Sequence, residues 1–161
     1  MRRLIALSFL GIVLFLSSIQ AASQTGARQI RPAGQKPQFV NMVEPWPYPF
    51  SSAVRAGNLL FLSGQIGSRV ENGAPKLVPG GIEPESRQAL DNIRAVLDKA
   101  GSSMDRVVKC SVMMADMADW PKLNEIYATY FPGPKPARSA WGANGLALGA
   151  RVEIECIALV D

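Results

Sequence analysis

Arg151-Val152-Glu153-Ile154-Glu155-Cys156-Ile157-Ala158-Leu159-Val160 ends one residue short of the C-terminus, and its first half alternates apolar with acidic side chains. A strand sends successive side chains to opposite faces, so Val152, Ile154 and Cys156 turn into a core while Glu153 and Glu155 turn the other way. The carboxylates are thereby held on rigid backbone. Fifteen residues ahead of Glu153 stands the arginine of Pro136-Ala137-Arg138-Ser139, in a chain of 161 residues without histidine. An arginine clamps a carboxylate with two parallel hydrogen bonds, and a nearby glutamate can position and deprotonate water, so the pair suits a site for a small anionic substrate. Taken alone, a Glu-x-Glu on a half-exposed strand also reads as the solvated face of a sheet.

Upstream, Ser52 to Arg55, the turn Ala56-Gly57-Asn58 and Leu59 to Ser63 read as a two-stranded hairpin. A loop with turns at Asn72-Gly73 and Pro79-Gly80-Gly81 leads to Pro84, well placed for a helix first turn. Leu90, Ile93, Leu97 and Ala100 then recur at amphipathic helical spacing until Gly101 ends the pattern. Val107 to Met114, rich in Val and Met, reads as a buried strand, with Met113, Met114 and Met117 as core filling. Asp119 is expected to cap a second helix carrying Trp120, Leu123, Ile126, Tyr127, Tyr130 and Phe131 largely on one side, stopped by Pro132. Strands over Arg138 to Ala143 and Arg151 to Val160 complete the chain. This order predicts an α+β two-layer sandwich, a mixed sheet with two helices on one face. The uncovered face should be buried by assembly into a closed oligomer.

The first residues, Met1-Arg2-Arg3, precede a run from Leu4 to Ile19 that is apolar except for Ser8, Gly11, Ser17 and Ser18, and then Gln20-Ala21-Ala22-Ser23. A basic start, a short apolar stretch and small residues beyond it form a signal-peptide pattern over 1–22, with an uncleaved N-terminal anchor as the rival reading. The expected product is periplasmic or secreted, with no stable membrane insertion once the leader is removed. Residues 23–40, rich in Gln, Gly and Pro, read as a flexible linker, and 41–161 as one folded domain. Five of the 17 basic residues precede Asn41, leaving 12 against 13 acidic ones, a formal charge of −1 that excludes an electrostatic footprint for nucleic acid. Cys110 and Cys156 both lie in strand-like runs. They read as buried free thiols or, if their strands are neighbours, as a disulfide permitted by export; without histidine they make no zinc site.

Five blocks stand in order: Pro49-Phe50-Ser51-Ser52-Ala53-Val54, Leu62-Ser63-Gly64-Gln65-Ile66-Gly67, Gln88-Ala89-Leu90-Asp91-Asn92-Ile93, Pro136-Ala137-Arg138-Ser139 and Val152-Glu153-Ile154-Glu155. Together they resemble the RidA family of reactive-intermediate (enamine/imine) deaminases, over essentially Pro49 to Val160. The resemblance implies a chorismate-mutase-like fold, a homotrimer and sites in clefts between subunits. It implies that Arg138 binds the substrate carboxylate and Glu153 acts on water, that Ser63 and Gly64 line the pocket, and that Asn124 matches a site asparagine of the second helix. The implied reaction is hydrolysis of 2-aminoacrylate-type enamines, through their imine tautomers, to a 2-keto acid and ammonia, without metal or organic cofactor.

Three positions depart from the family pattern: Phe50 where many members carry tyrosine, Ala140 where archetypal deaminases often carry cysteine, and Ala147 in place of a proline. Phe50 and Ala140 are therefore counted with the substrate-contacting positions, with altered chemistry. The alternative function is an exported small-ligand-binding or stress-protective trimer without turnover. Ribonuclease activity, also attached to this family, is disfavoured by the missing histidine and the non-basic folded part.

Overall fold

The computed structural model describes residues 36–45 and 47–161. The leader, the linker up to residue 35 and Trp46 lie outside the described residues. The described chain forms β1 (Gln38–Val40), β2 (Ala53–Ala56), β3 (Leu59–Leu62), β4 (Gln65–Ile66), β5 (Ser68–Glu71), β6 (Ala74–Leu77), α1 (Ile82–Lys99), β7 (Val107–Met114), α2 (Trp120–Tyr130), β8 (Ala137–Gly142) and β9 (Val152–Leu159). One mixed sheet runs β1-β2-β3-β9-β7-β8, with β4 also paired to β9. Only β7 and β8 are parallel in it, joined through α2.

The two helices share one face of this sheet. Leu60, Val112, Met114, Val152, Ile154 and Ala158 from the strands meet Leu90, Ile93, Val96 and Leu97 of α1 and Leu123 and Ile126 of α2 in one buried cluster. Each of these side chains other than Ala158 contributes about 1.5–3 kcal/mol when taken from water. The α1 stripe ends as the sequence predicts. Gly101, at φ 75°, turns the chain so that its N–H reaches the Asp98 carbonyl while Ser102 N–H reaches that of Leu97, satisfying the last carbonyls of the helix. At the other end, Gly67 lets the chain after β4 press on α1: a Cβ there would lie 2.3 Å from Glu85 Cα. Glu85, itself buried, accepts a hydrogen bond from Arg151 N–H at 2.7 Å and so ties α1 to the start of β9.

Among the described residues no helix covers the opposite face. Phe39, Val54, Phe61 and Ile157 are paired in register across β1, β2, β3 and β9, forming an apolar row on that face. Phe39 and Phe61 are 69% and 42% exposed.

Several sequence expectations are corrected. The linker was expected to run to Val40, but Gln38–Val40 pair with β2. The loop around Asn72-Gly73 is a hairpin: Asn72 and Gly73 both take positive φ and join β5 to β6, the turn that Asn-Gly favours. Asp119 precedes α2 but makes no side-chain cap; its carboxylate instead accepts from the Arg151 guanidinium, through Nε at 3.0 Å. Asp116 takes the capping role, accepting from Ala118 N–H at the short turn before α2. The free-thiol reading of the cysteines also gives way. Cys110 and Cys156 face each other across β7 and β9 with Cα atoms 4.1 Å apart and form a disulfide. Among the described residues no helix is long and apolar enough to cross a membrane.

Candidate functional site

Glu153 lies on β9 where that strand pairs with both β4 and β7, opposite Ile66 and Met113. Its neighbour Gly64 fixes where the carboxylate rests, since a Cβ on Gly64 would fall 2.0 Å from Glu153 Oε1. Any other residue at 64 would displace the acid. Glu153 is half-buried and forms no ion pair among the described residues. Burial raises its pKa, and the negative charge of Glu155, on the same strand face, raises it further.

The carboxylate opens on a cavity of about 430 Å³ lined by Met42, Tyr48, Phe50, Gln65, Ile66 and Leu148, with Ser52, Gly64, Ser68, Pro75 and Ala147 completing it. Phe50 stacks on Tyr48 with ring centroids 5.5 Å apart. Ser63 lies next to this wall, but its hydroxyl donates to the Ser51 carbonyl at 2.7 Å and so braces the loop before β2.

Arg138 is elsewhere. Cys110 is paired with Arg138 on one side and Cys156 on the other, so all three share the helix-covered face. Glu153 pairs with Met113, which pairs with Trp141, and this row lies on the open face. A single protomer therefore does not bring Arg138 and Glu153 together. Arg138 lies against α2, where Trp120, Asn124 and Tyr127 recur at the spacing that puts them on one side of a helix. The guanidinium carbon stands 4.7 Å from the Tyr127 ring centre and 5.3 Å from that of Trp120, and Nη2 donates to Asn124 Oδ1 at 2.6 Å. Stacking on aromatic rings favours the cation without consuming its N–H donors. Arg138 has no carboxylate partner among the described residues, so most of its five donors are available to an anion. Burial pushes the Tyr127 hydroxyl up to about 12, against the opposing pull of Arg138, so the ring beside the guanidinium stays neutral. Ala140, two residues along β8, is on the same face as Arg138 and packs against the core.

The structure thus places the expected residues in two separate groups. Glu153, Gly64 and Phe50 form one; Arg138 and Asn124 form the other, with Ala140 beside them. The sequence reading places Trp120 and Tyr127 only on one side of the second helix and does not link them to Arg138, although the Trp120, Asn124, Tyr127 spacing carried the signal. Met42 and Leu148 gave none, because both reach the cavity from irregular segments. Among the described residues no cluster of three or more metal-ligating side chains occurs.

Residues 44–160 match the Endoribonuclease L-PSP family. The chain is 46% identical over 111 residues to the 2-iminobutanoate/2-iminopropanoate deaminase of Mus musculus, covering 69% of this chain and 81% of the mouse protein. It is 46% identical over 110 residues to the chloroplastic Reactive Intermediate Deaminase A of Arabidopsis thaliana, covering 68% of this chain but only 58% of the plant protein. The crystal structure of YyfA from Yersinia pestis, a Rid-family protein, superposes with a TM-score of 0.72 at 37% identity, over 78% of this chain and all of the other. An α+β sandwich with this motif order, matched over most of its length, makes the chain a member of the Endoribonuclease L-PSP (RidA/YjgF) family.

Proposed function

We propose that this protein hydrolyses small carboxylate-bearing imines, reached from 2-aminoacrylate-type enamines, to 2-keto acids and ammonia. The reading rests on one observation: an arginine with unspent donors and an acid of raised pKa, neither of them in an ion pair among the described residues, occupy separate places on the protomer. The mouse and Arabidopsis relatives, by their names, act on such reactive intermediates. The half-sites are proposed to meet in a cleft between protomers of a closed trimer, Arg138 and Asn124 from one subunit facing Glu153 and Gly64 of the next. The apolar row Phe39, Val54, Phe61 and Ile157, left uncovered in the protomer, supports such an assembly.

In the proposed reaction Arg138 grips the substrate carboxylate and sets the imine carbon within reach of a water on Glu153. With the imine protonated at nitrogen from solvent, Glu153 takes one proton from water as the water oxygen bonds to carbon, and the C=N electron pair moves to nitrogen to give a carbinolamine. Glu153 returns that proton to the nitrogen, the C–N bond breaks to release ammonia, and the hydroxyl proton passes back to Glu153 and on to solvent, leaving the keto group. An imine carbon is already electrophilic, so orientation and one acid/base group suffice. The leader pattern and the Cys110–Cys156 disulfide support export, because disulfides persist in oxidising compartments. RNA cleavage has less behind it, as the chain has no histidine.

The test generates 2-aminoacrylate or 2-iminopropanoate with a coupled enzyme and follows its decay with purified protein. Decay no faster than in buffer, or equal rates for native protein and Arg138→Ala, would remove the proposal. Gly64→Ala is expected to lower kcat/KM about 10²-fold by displacing the Glu153 carboxylate, with little change in melting temperature. The pH profile gives a further check. Glu153 must lose its proton to act as base, so kcat/KM should fall in acid through a pKa above that of an ordinary glutamate. Glu155→Gln removes a charge that holds the proton on, and should shift this limb to lower pH, while the part due to burial remains. A limb that stays in place would assign it to another group.

A further inference from the structure

Beside Glu153 the polar side chains of the cavity wall are few: Tyr48, Ser52, Gln65 and Ser68. Ser52 Oγ accepts from Met42 N–H at 3.1 Å, and Gln65 Nε2 donates to the Ser63 carbonyl at 3.1 Å. Gly64 contributes only backbone, and among the described residues of the protomer itself no lysine or arginine lines the cavity. The rest of the wall is Met42, Tyr48, Phe50, Ile66, Ser68, Pro75, Ala147 and Leu148, mostly apolar side chains around some 430 Å³. A three-carbon acid would cover only part of that wall as the protomer presents it.

Leu148 adds an independent observation. It sits at φ 59°, ψ 9° in the left-handed region, where a leucine is strained and glycine is at ease. It is also 58% exposed, so the protomer gains little burial in return. Strain of this kind persists where the side chain serves a bound partner. Here that side chain lines the same cavity as the stacked pair Tyr48 and Phe50.

We infer that the cavity selects imines bearing an extended apolar side chain, such as those of leucine or phenylalanine, with Leu148 as a specificity-determining residue. The inference rests on the proposed hydrolysis for its kinetic form but not for its binding form. Each methylene seated in an apolar pocket raises discrimination severalfold or more, so the leucine-derived imine should show kcat/KM at least about tenfold above that of the alanine-derived imine.

The experiment generates imines from leucine, phenylalanine and alanine with a flavin-dependent amino-acid oxidase and traps what the protein leaves with semicarbazide. Leu148→Gly, which keeps the left-handed backbone, is expected to narrow the leucine-to-alanine ratio at least about threefold. A second arm measures calorimetric binding of 4-methyl-2-oxopentanoate against pyruvate, product-like acids that need no turnover, with the same ranking expected. Equal or inverted ranking in native protein, or a ratio untouched by Leu148→Gly in a chain that melts like native, overturns the inference. Absence of hydrolysis with the binding ranking intact removes the proposed reaction and leaves the selectivity standing. Hydrolysis without ranking does the reverse.

Discussion

Arg138→Ala and Glu153→Gln chains, unfolded together in equal amounts and refolded under oxidising conditions, are expected to recover about a quarter of native activity, although each variant refolded alone falls about 10²- to 10⁴-fold. The expectation follows from register. Arg138 is in line with Cys110 and Cys156 on the helix-covered face, whereas Glu153 is in line with Met113 and Trp141 on the other, so the sheet itself separates them. Any site that uses both must draw them from two chains. In a ring of randomly mixed subunits, each cleft has one chance in two of an intact arginine and one in two of an intact glutamate, hence about one intact cleft in four whatever the ring size. Homogeneous rings of either variant contain none. Recovery of that fraction, measured as imine decay against native protein refolded in parallel, would establish a shared cleft. If mixing adds nothing beyond the residual rates, the two half-sites do not cooperate and the proposed reaction loses its geometry.

The same separation shows where reading the sequence reaches its limit. Alternation in Val152 to Cys156 was enough to assign β9 and its two faces, because a strand's period leaves one choice once the apolar side is known. Leu90, Ile93 and Leu97 likewise assigned α1, since their stripe must be buried. β7 alternated poorly for a local reason: a register shift between Val107 and Lys109 leaves Val108 exposed, and regular alternation begins only at Cys110. Strand β1 and the β5–β6 hairpin were missed because their residues are mostly exposed, so burial writes no pattern into them. The Asn72-Gly73 pair was the one legible mark of that hairpin. The roles of Arg138, Asn124 and Gly64 came from resemblance in blocks of sequence, whereas the contacts that hold them depend on pairing between distant strands. Asp119 shows the competition involved: its position suited a helix cap, but Arg151, adjacent in space and 32 residues away in sequence, takes the carboxylate.

Replacing both Cys110 and Cys156 by alanine is expected to cost about 4 kcal/mol of folding stability, the chain-entropy value for a loop of this length. The bridge spans 46 residues and encloses all of α2 and β8, so it restricts a large part of the unfolded chain. Both cysteines are buried at the centre of the sheet, at 0% and 2% exposure, where each alanine also gives up sulfur contacts with the core. Against a typical domain stability of about 5–15 kcal/mol, such a loss leaves a margin that heat or denaturant readily exhausts. Urea unfolding of the native and double-alanine proteins measures it directly, and a midpoint shift at constant slope is the expected form. Superimposed curves, or two titratable thiols in native protein purified without reductant, would contradict it. Arg138 lies beside Cys110 in register but is held by Asn124, Trp120 and Tyr127 rather than by the bridge, so the double variant should hydrolyse imines at near-native kcat wherever it remains folded. The disulfide then acts on persistence and not on chemistry. Native protein held reduced should lose the contribution of the bridge while keeping the sulfur contacts, and so unfold between the oxidised protein and the double variant.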